Sequence, residues 1–147
     1  MPVSASPRGA DRAPESPEEG SAIIEFLALT LLLILPVLWL ITAAAAVQSA
    51  AYAATGAADQ AAKVYAAAGD PVQAESSVAT TLADFGIGRE AAEVTRACAG
   101  PCDEPGTVVT YTVHVGVSMP AVPEFLGFQP QLLTVSSSAA HVRKEPE

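Results

Sequence analysis

Apolar and polar positions follow three different rhythms along the chain. The first is an unbroken run: Phe26 to Val47 is 22 residues without a formal charge, led by Leu27-Ala28-Leu29-Thr30-Leu31-Leu32-Leu33-Ile34-Leu35. At ~1.5 Å per helical residue this run spans roughly 33 Å, close to the hydrocarbon thickness of a bilayer. It does not stop cleanly. Residues 48–68 are alanine-rich and continue as a strong helix former, with Asp59 and Lys63 at i,i+4 in the favourable acid-first order. The pattern therefore predicts one helix of more than 40 residues, half in membrane and half outside. Pro36 interrupts the membrane half, where neighbouring helices and local adjustments satisfy the freed carbonyl. The alanine face around Ala43 to Ala58 has two readings of equal weight. It lets another helix approach closely, or it reflects a compositional bias.

The second rhythm is helical. Gly69 suits the position that ends the long helix, and Asp70-Pro71-Val72-Gln73 reads as an N-cap, a proline at N1 and a capping-box partner at N3. A second helix is predicted to run to about Phe85 and stop at Gly86. Its Val78, Leu82 and Phe85 recur at i, i+4 and i+7 and form one apolar stripe for a core. The third rhythm has period two. Val109, Tyr111, Val113, Val115, Val117 and Met119 alternate with Thr110, Thr112, His114, Gly116 and Ser118, which predicts a half-buried strand. Val94 to Cys98 and Leu132 to Val142 read as flanking strands. Pro120, Pro123, Gly127 and Pro130 mark a loop carrying Phe125, Leu126 and Phe128. The predicted fold class is α+β: a long N-terminal transmembrane helix continuing into an exported alanine-rich helix, then a short helix and a small three-stranded antiparallel sheet. The most economical topology is a meander packed by the second helix and the outer half of the first.

Composition divides the 147 residues into three parts: a leader at 1–20, a transmembrane helix at 21–47 and an exported domain at 48–147. The leader is rich in Pro, Ser and charge and is expected to be disordered, because it cannot bury enough apolar surface to fold. About half of all residues are apolar, but alanine supplies much of that fraction, so the core is expected to be thin. The formal net charge is −9, with only seven Lys and Arg, which argues against binding nucleic acid. Arg8 and Arg12 precede the span and only Lys63 follows it closely. That bias favours an N-terminus inside and a C-terminal domain outside.

Glu25 stands just inside the head of the apolar run. A carboxylate costs about 2 to 3 kcal/mol near a bilayer centre and less towards its edge, so it asks for a purpose. Three readings compete. A cleavable secretory signal would find a small-residue site at Ala43-Ala44-Ala45-Ala46, but the run is too long and the segment before it is net acidic. A plain uncleaved anchor fits the length and leaves Glu25 unexplained. A prepilin-type leader, cleaved after Gly20, makes Ser21 the first residue and Glu25 the fifth. Gly20 suits such a site because its backbone lies flat in a protease groove. The new amine at Ser21 is cationic, and Glu25 can neutralise the amine of a neighbouring subunit, offsetting the cost of burying either charge and fixing axial register.

Gly20 followed by Glu25-Phe26, a leucine-rich helix and an alanine-rich continuation resembles the TadE-like family of tight-adherence (Flp-type) pilus pseudopilins. The likeness covers Gly20 to about Ala68 well and the β-rich remainder in outline. Family leaders usually carry basic residues just before the cleavage glycine, whereas Glu18-Glu19 precede Gly20 here. The resemblance implies a pilin-like fold and a minor subunit acting in pilus assembly and surface attachment. It implies as partners other pilin-like subunits including the major pilin, a prepilin peptidase, an inner-membrane assembly platform and a cytoplasmic ATPase.

Cys98-Ala99-Gly100-Pro101-Cys102 is the one thiol pair. Three intervening residues differ from the two of thioredoxin-like redox sites, and a zinc site would need two further ligands that His114 and His141 do not obviously supply. Outside the cell the pair is expected to close a Gly-Pro turn as a structural disulfide, contributing about 2 kcal/mol. No cofactor or metal is expected. The two histidines read as solvent-facing strand residues, and Ser136-Ser137-Ser138 as a polar strand face, since no base accompanies it. Phe125-Leu126-Gly127-Phe128 reads as a loop folded over the sheet, with a partner contact as the alternative. No catalytic set can be assembled, so an enzyme is the weakest reading. The alternatives to the pilin reading are an uncleaved single-pass protein presenting a disulfide-stapled interaction domain, and a secreted protein beginning near Val47.

Overall fold

The computed structural model describes residues 18–118 and 131–145. Helix α1 runs Glu18–Ala68 and helix α2 Pro71–Asp84; a 3-10 turn at Arg89–Ala91 leads into strands β1 (Ala92–Cys98), β2 (Val108–Ser118) and β3 (Gln131–Val142). The α+β class, the element order and the meander are as the hydrophobic pattern predicts. The loop expected between β2 and β3, with Phe125, Leu126 and Phe128, lies outside the described residues, as does Met119. Helix α1 begins at Glu18 rather than Ser21, so its first three residues come from the expected leader. Pro36 lies inside α1 and does not end it.

Packing divides the chain into two units, Met1–Val37 and Leu38–Glu147. In the first, the described side chains of α1 are almost all exposed, including Ile23, Ile24, Phe26, Leu32 and Leu33. The helix is apolar on every side, so no face is reserved for a protein core. Among the described residues one helix is thus long and apolar enough to cross a membrane, and it lies near the N-terminus.

The second unit owns the core. Ala50, Ala53, Ala54, Ala57, Ala58, Ala61, Ala62 and Tyr65 of α1 are buried in one cluster with Ala74, Val78 and Leu82 of α2 and Val109, Tyr111, Val113, Val115 and Val117 of β2. This resolves the alanine face between Ala50 and Ala58. Small side chains let the helix lie close to its own sheet and to α2, so the helix that approaches this stretch is the chain's own and the stretch is not free for another chain. Each alanine removes little area from water, and the larger share of the burial comes from the valines of β2 with Leu82 and the tyrosines.

Helix α2 starts as predicted. Asp70 accepts from the Val72 N–H at 2.8 Å and from the Gln73 N–H at 3.5 Å, and Pro71 occupies the first turn where its missing donor is not needed. The C-terminal end differs from the expected stripe. Val78 and Leu82 are fully buried, but Phe85 is 42% exposed, and Ala74 completes the inward face instead. The physical reason is that Phe85 caps the helix with φ −98° and ψ 7°, outside helical geometry, so the helical period no longer carries its side chain to the core. Gly86 follows at φ +69° and the chain turns away.

The sheet has the order β1-β2-β3, antiparallel throughout. Val109, Val113 and Val115 of β2 stand opposite Cys98, Val94 and Ala92 of β1, and opposite His141, Ser137 and Val135 of β3, so these residues share the helix-facing side. Thr112 and Ser138 share the outer side, their hydroxyls 2.8 Å apart. Ser136 and Ser138 lie on that outer face, as the polar reading of the tri-serine requires, but Ser137 turns toward the helices.

Candidate functional site

Two candidate sites emerge, one in each unit. In the first unit Gly20 is the third residue of α1, Ser21 follows, and Glu25 stands one turn further. Residues at i and i+4 of a helix share a face, so Ser21 and Glu25 project to the same side. Both are exposed, within a surface made otherwise of Ile23, Ile24, Phe26 and Leu29. Glu25 takes no part in the ion pairs among the described residues.

In the second unit the polar groups collect where α1 ends. Cys98 and Cys102 form a disulfide with Cα atoms 5.4 Å apart, which clips the β1–β2 connection as the spacing suggested. Ala99 donates to the Val108 carbonyl across the same turn at 3.0 Å. Beyond it, the chain after β3 returns to the end of α1. Arg143 Nη1 donates to the carbonyls of Tyr65 at 3.0 Å and Ala66 at 3.4 Å, and the Lys144 N–H donates to the Ala66 carbonyl at 2.9 Å. The last carbonyls of a helix lack intrahelical donors and carry the negative end of its dipole, so a guanidinium there is doubly favourable. The guanidinium needs room. Gly69 has φ +72°, and a Cβ added to it would come within 2.2 Å of Arg143 Nη2.

Tyr65 is the hinge of this arrangement. Its ring centroid is 5.9 Å from that of Tyr111, with the Arg96 guanidinium 4.6 Å from its face and that of Arg143 at 5.8 Å. Burial pushes the Tyr111 phenol above its ordinary range, against the pull of a hydrogen bond from Arg96.

One turn back along α1, Asp59 accepts from Lys63 Nζ at 2.6 Å and meets His141 Nε2 of β3 at 3.0 Å. Lys63, and then His141, hold the Asp59 carboxyl below the usual carboxylate range. The i,i+4 pair was legible in the sequence. The third member corrects the expectation for His141, which faces α1 rather than solvent because it pairs with Val109 on the buried side of the sheet. His114 lies on the outer side, half-buried. Nothing local announces either Arg143 or His141, since their partners lie 78 and 82 residues away.

At the opposite end of the domain an open cavity of about 540 Å³ is lined by Ala46, Ser49, Phe85, Ile87, Glu90 and Ser118 among others. Among the described residues, no group of three or more His, Cys, Asp or Glu is placed to hold a metal ion. No family model matches the chain, and neither a curated protein nor a solved structure matches it.

Proposed function

We propose that this chain is a membrane-anchored minor pilin-like subunit, a pseudopilin of a tight-adherence type pilus. It acts in pilus assembly and surface attachment after prepilin-type cleavage behind Gly20. The observation that carries the reading is the Glu25 carboxylate, two turns into α1, on a stretch whose apolar side chains are bare from Ile23 to Ile41. A helix of that kind is stable in lipid or among its own copies, and an acid on it is tolerated only where a cation meets it. Cleavage would create that cation at Ser21, and Glu25 of one subunit would neutralise the Ser21 amine of the next. The same contact would set their axial register. Glu18, Glu19 and Gly20 form only the first turn of α1, where helices fray and glycine weakens the turn further, so a peptidase can open it locally.

The orientation follows from Arg8 and Arg12 before the span: N-terminus cytoplasmic, exported domain outside, where its disulfide persists. The partners of this reading are a prepilin peptidase, an inner-membrane assembly platform and other pilin-like subunits. Intact mass of the purified protein is the test. Loss of residues 1–20, together with Glu25→Ala chains that insert in the membrane yet no longer assemble, supports the reading. A polypeptide that begins at Met1 and a Glu25→Ala strain with undiminished pili would overturn it.

A second reading has its own observation. Glu18-Glu19 stand where family leaders usually carry basic residues, and the second unit has a complete core of its own. On this reading the chain is an uncleaved single-pass protein presenting a disulfide-stapled interaction domain, and intact mass separates the two.

A further inference from the structure

Helix α2 returns along α1 towards the apolar span. Only Gly69 and Asp70 separate the two helices, and Thr81 lies against Gly56, where an added Cβ would stand 3.3 Å from Thr81 Cγ2. Phe85 is one turn further on, ~6 Å nearer the span, at about the level of Tyr52. Gly86, Ile87 and Gly88 then share a cavity wall with Ala46, Ser49 and Ala50. All these residues belong to the second unit. The uncharged run ends at Val47, so Ala50 and Tyr52 lie ~4.5 and ~7.5 Å past it along the helix. The headgroup layer on each side of a bilayer's hydrocarbon core is about 5 to 7 Å deep. With the span in a membrane, the turn after α2 is level with the headgroups.

We propose that this end of the exported domain is a lipid-binding surface, with Phe85 seated in the headgroup layer of the bilayer that α1 crosses. Continuity with the span selects lipid as the occupant, because a surface at this level beside an anchored α1 already lies among headgroups. Its chemistry suits that layer. Phe85 is 42% exposed and Tyr52 70%, and neither belongs to the core cluster. Aromatic side chains favour the boundary between headgroups and hydrocarbon. The backbone of the turn brings no unpaired donor there: the Phe85 and Ile87 N–H groups donate to the Leu82 carbonyl, and that of Gly86 to the Ala83 carbonyl. Depth is limited by charge. Asp84 and Glu90, both exposed, flank the turn, and carboxylates are costly in hydrocarbon, so the contact is shallow. The surface gives the domain a second hold on the membrane beside the span itself. The inference rests on the membrane anchoring in the proposed function and not on its pilin-like part.

The experiment uses the full chain in phosphatidylcholine vesicles and reads tryptophan fluorescence. Trp39 is the one tryptophan, so Trp39→Phe clears the background for Phe85→Trp or, at the far end of the domain beside the disulfide turn, Val108→Trp. The quenchers are phosphatidylcholines with a nitroxide either at the headgroup or deep in the acyl chain. Phe85→Trp is expected to be quenched more by the headgroup label than by the deep one, while Val108→Trp keeps its intensity with both. Trp39 in the unsubstituted chain, ~12 Å inside the end of the apolar run, is expected to answer the deep label best. Protease resistance of the exported domain confirms that the Phe85→Trp chain is folded; if it is not, Phe85→Cys carrying a nitrobenzoxadiazole fluorophore is read with the same quenchers. Water-like emission without quenching would overturn the proposal. So would blue-shifted emission that no lipid label quenches, which marks cover by protein, this chain's own or a second copy's, and so would strongest quenching from the deep label. If Trp39 is quenched and position 85 is not, the surface fails while the anchoring stands. If Trp39 is not quenched either, the anchoring fails with it, and intact mass still judges cleavage separately.

Discussion

Replacing Gly69 by alanine isolates the joint between the end of α1 and the chain after β3. Two separate costs are expected. At φ +72° an L-residue with a Cβ is strained by about 1 kcal/mol. The new methyl group would also take the space of the Arg143 guanidinium, the far end of a flexible side chain, which must move aside. A displacement large enough to clear the methyl group breaks its hydrogen bonds to the Tyr65 and Ala66 carbonyls and weakens its contact with the Tyr65 ring. A partly buried hydrogen bond from a charged donor contributes about 1.5 kcal/mol or more, and the helix end loses its cation besides. The sum is about 2 to 4 kcal/mol. Gly86 provides the control: its φ is +69°, nearly the same, but a Cβ there meets nothing within 4 Å. Gly86→Ala should therefore cost about 1 kcal/mol, the conformational term alone. Denaturant titration of the full-length chain in detergent, followed by tyrosine and near-ultraviolet circular dichroism signals from Tyr65 and Tyr111, measures both. In a chain that already carries Arg143→Ala, the Gly69→Ala cost should fall to that of Gly86→Ala, because the two changes remove the same contact. Equal losses for Gly69→Ala and Gly86→Ala in the wild-type background would refute the reasoning, since the Arg143 socket would then carry no energy.

Three further outcomes follow from the core, the turn and the Asp59 cluster. Leu82→Ala, at a fully buried site, should destabilise the exported domain by about 2 to 5 kcal/mol, while Phe85→Ala one turn later should cost less than about 1 kcal/mol; similar losses in a denaturation series would contradict the corrected α2 stripe. Cys98→Ser with Cys102→Ser should lower stability by about 2 kcal/mol, as should reduction of the native bond, and unchanged unfolding midpoints under reducing agent would remove its role as a staple. Because Lys63 and His141 lower the Asp59 pKa below its ordinary 3.8, the group stabilises the fold fully above about pH 4 and loses that contribution as the pH falls through its folded value. The gap in stability between wild type and Asp59→Asn, read from pH-dependent melting, should close in acid. The effect is small because the side chain is 38% exposed, and a gap that widens below pH 4 would contradict the sign.

Local chemistry was enough for much of this protein. An uninterrupted apolar run can only be a span or a buried helix, Asp70-Pro71 can begin a helix without losing a needed donor, and strict alternation from Val109 to Val117 can bury only one face of a strand. These elements, the order of the sheet and the Cys98–Cys102 clip follow from neighbours within a few residues of one another. The acid at Glu25 was equally visible, because its oddity is defined by the residues beside it.

Tertiary structure decided what each face meets. The sequence left the alanines of α1 open between a partner helix and mere composition; burial against β2 and α2 assigns Ala50 to Ala62 to the chain's own core. Phe85 kept the helical spacing of Val78 and Leu82 yet left the core, since the backbone stops being helical at that residue. His141 and Arg143 were invisible for another reason. Their partners, Asp59 and the carbonyls of Tyr65 and Ala66, come near only after α2, β1 and β2 have been laid down between them. Periodicity reports which side of an element avoids water, but it is blind to which of two distant polar groups will share one buried face.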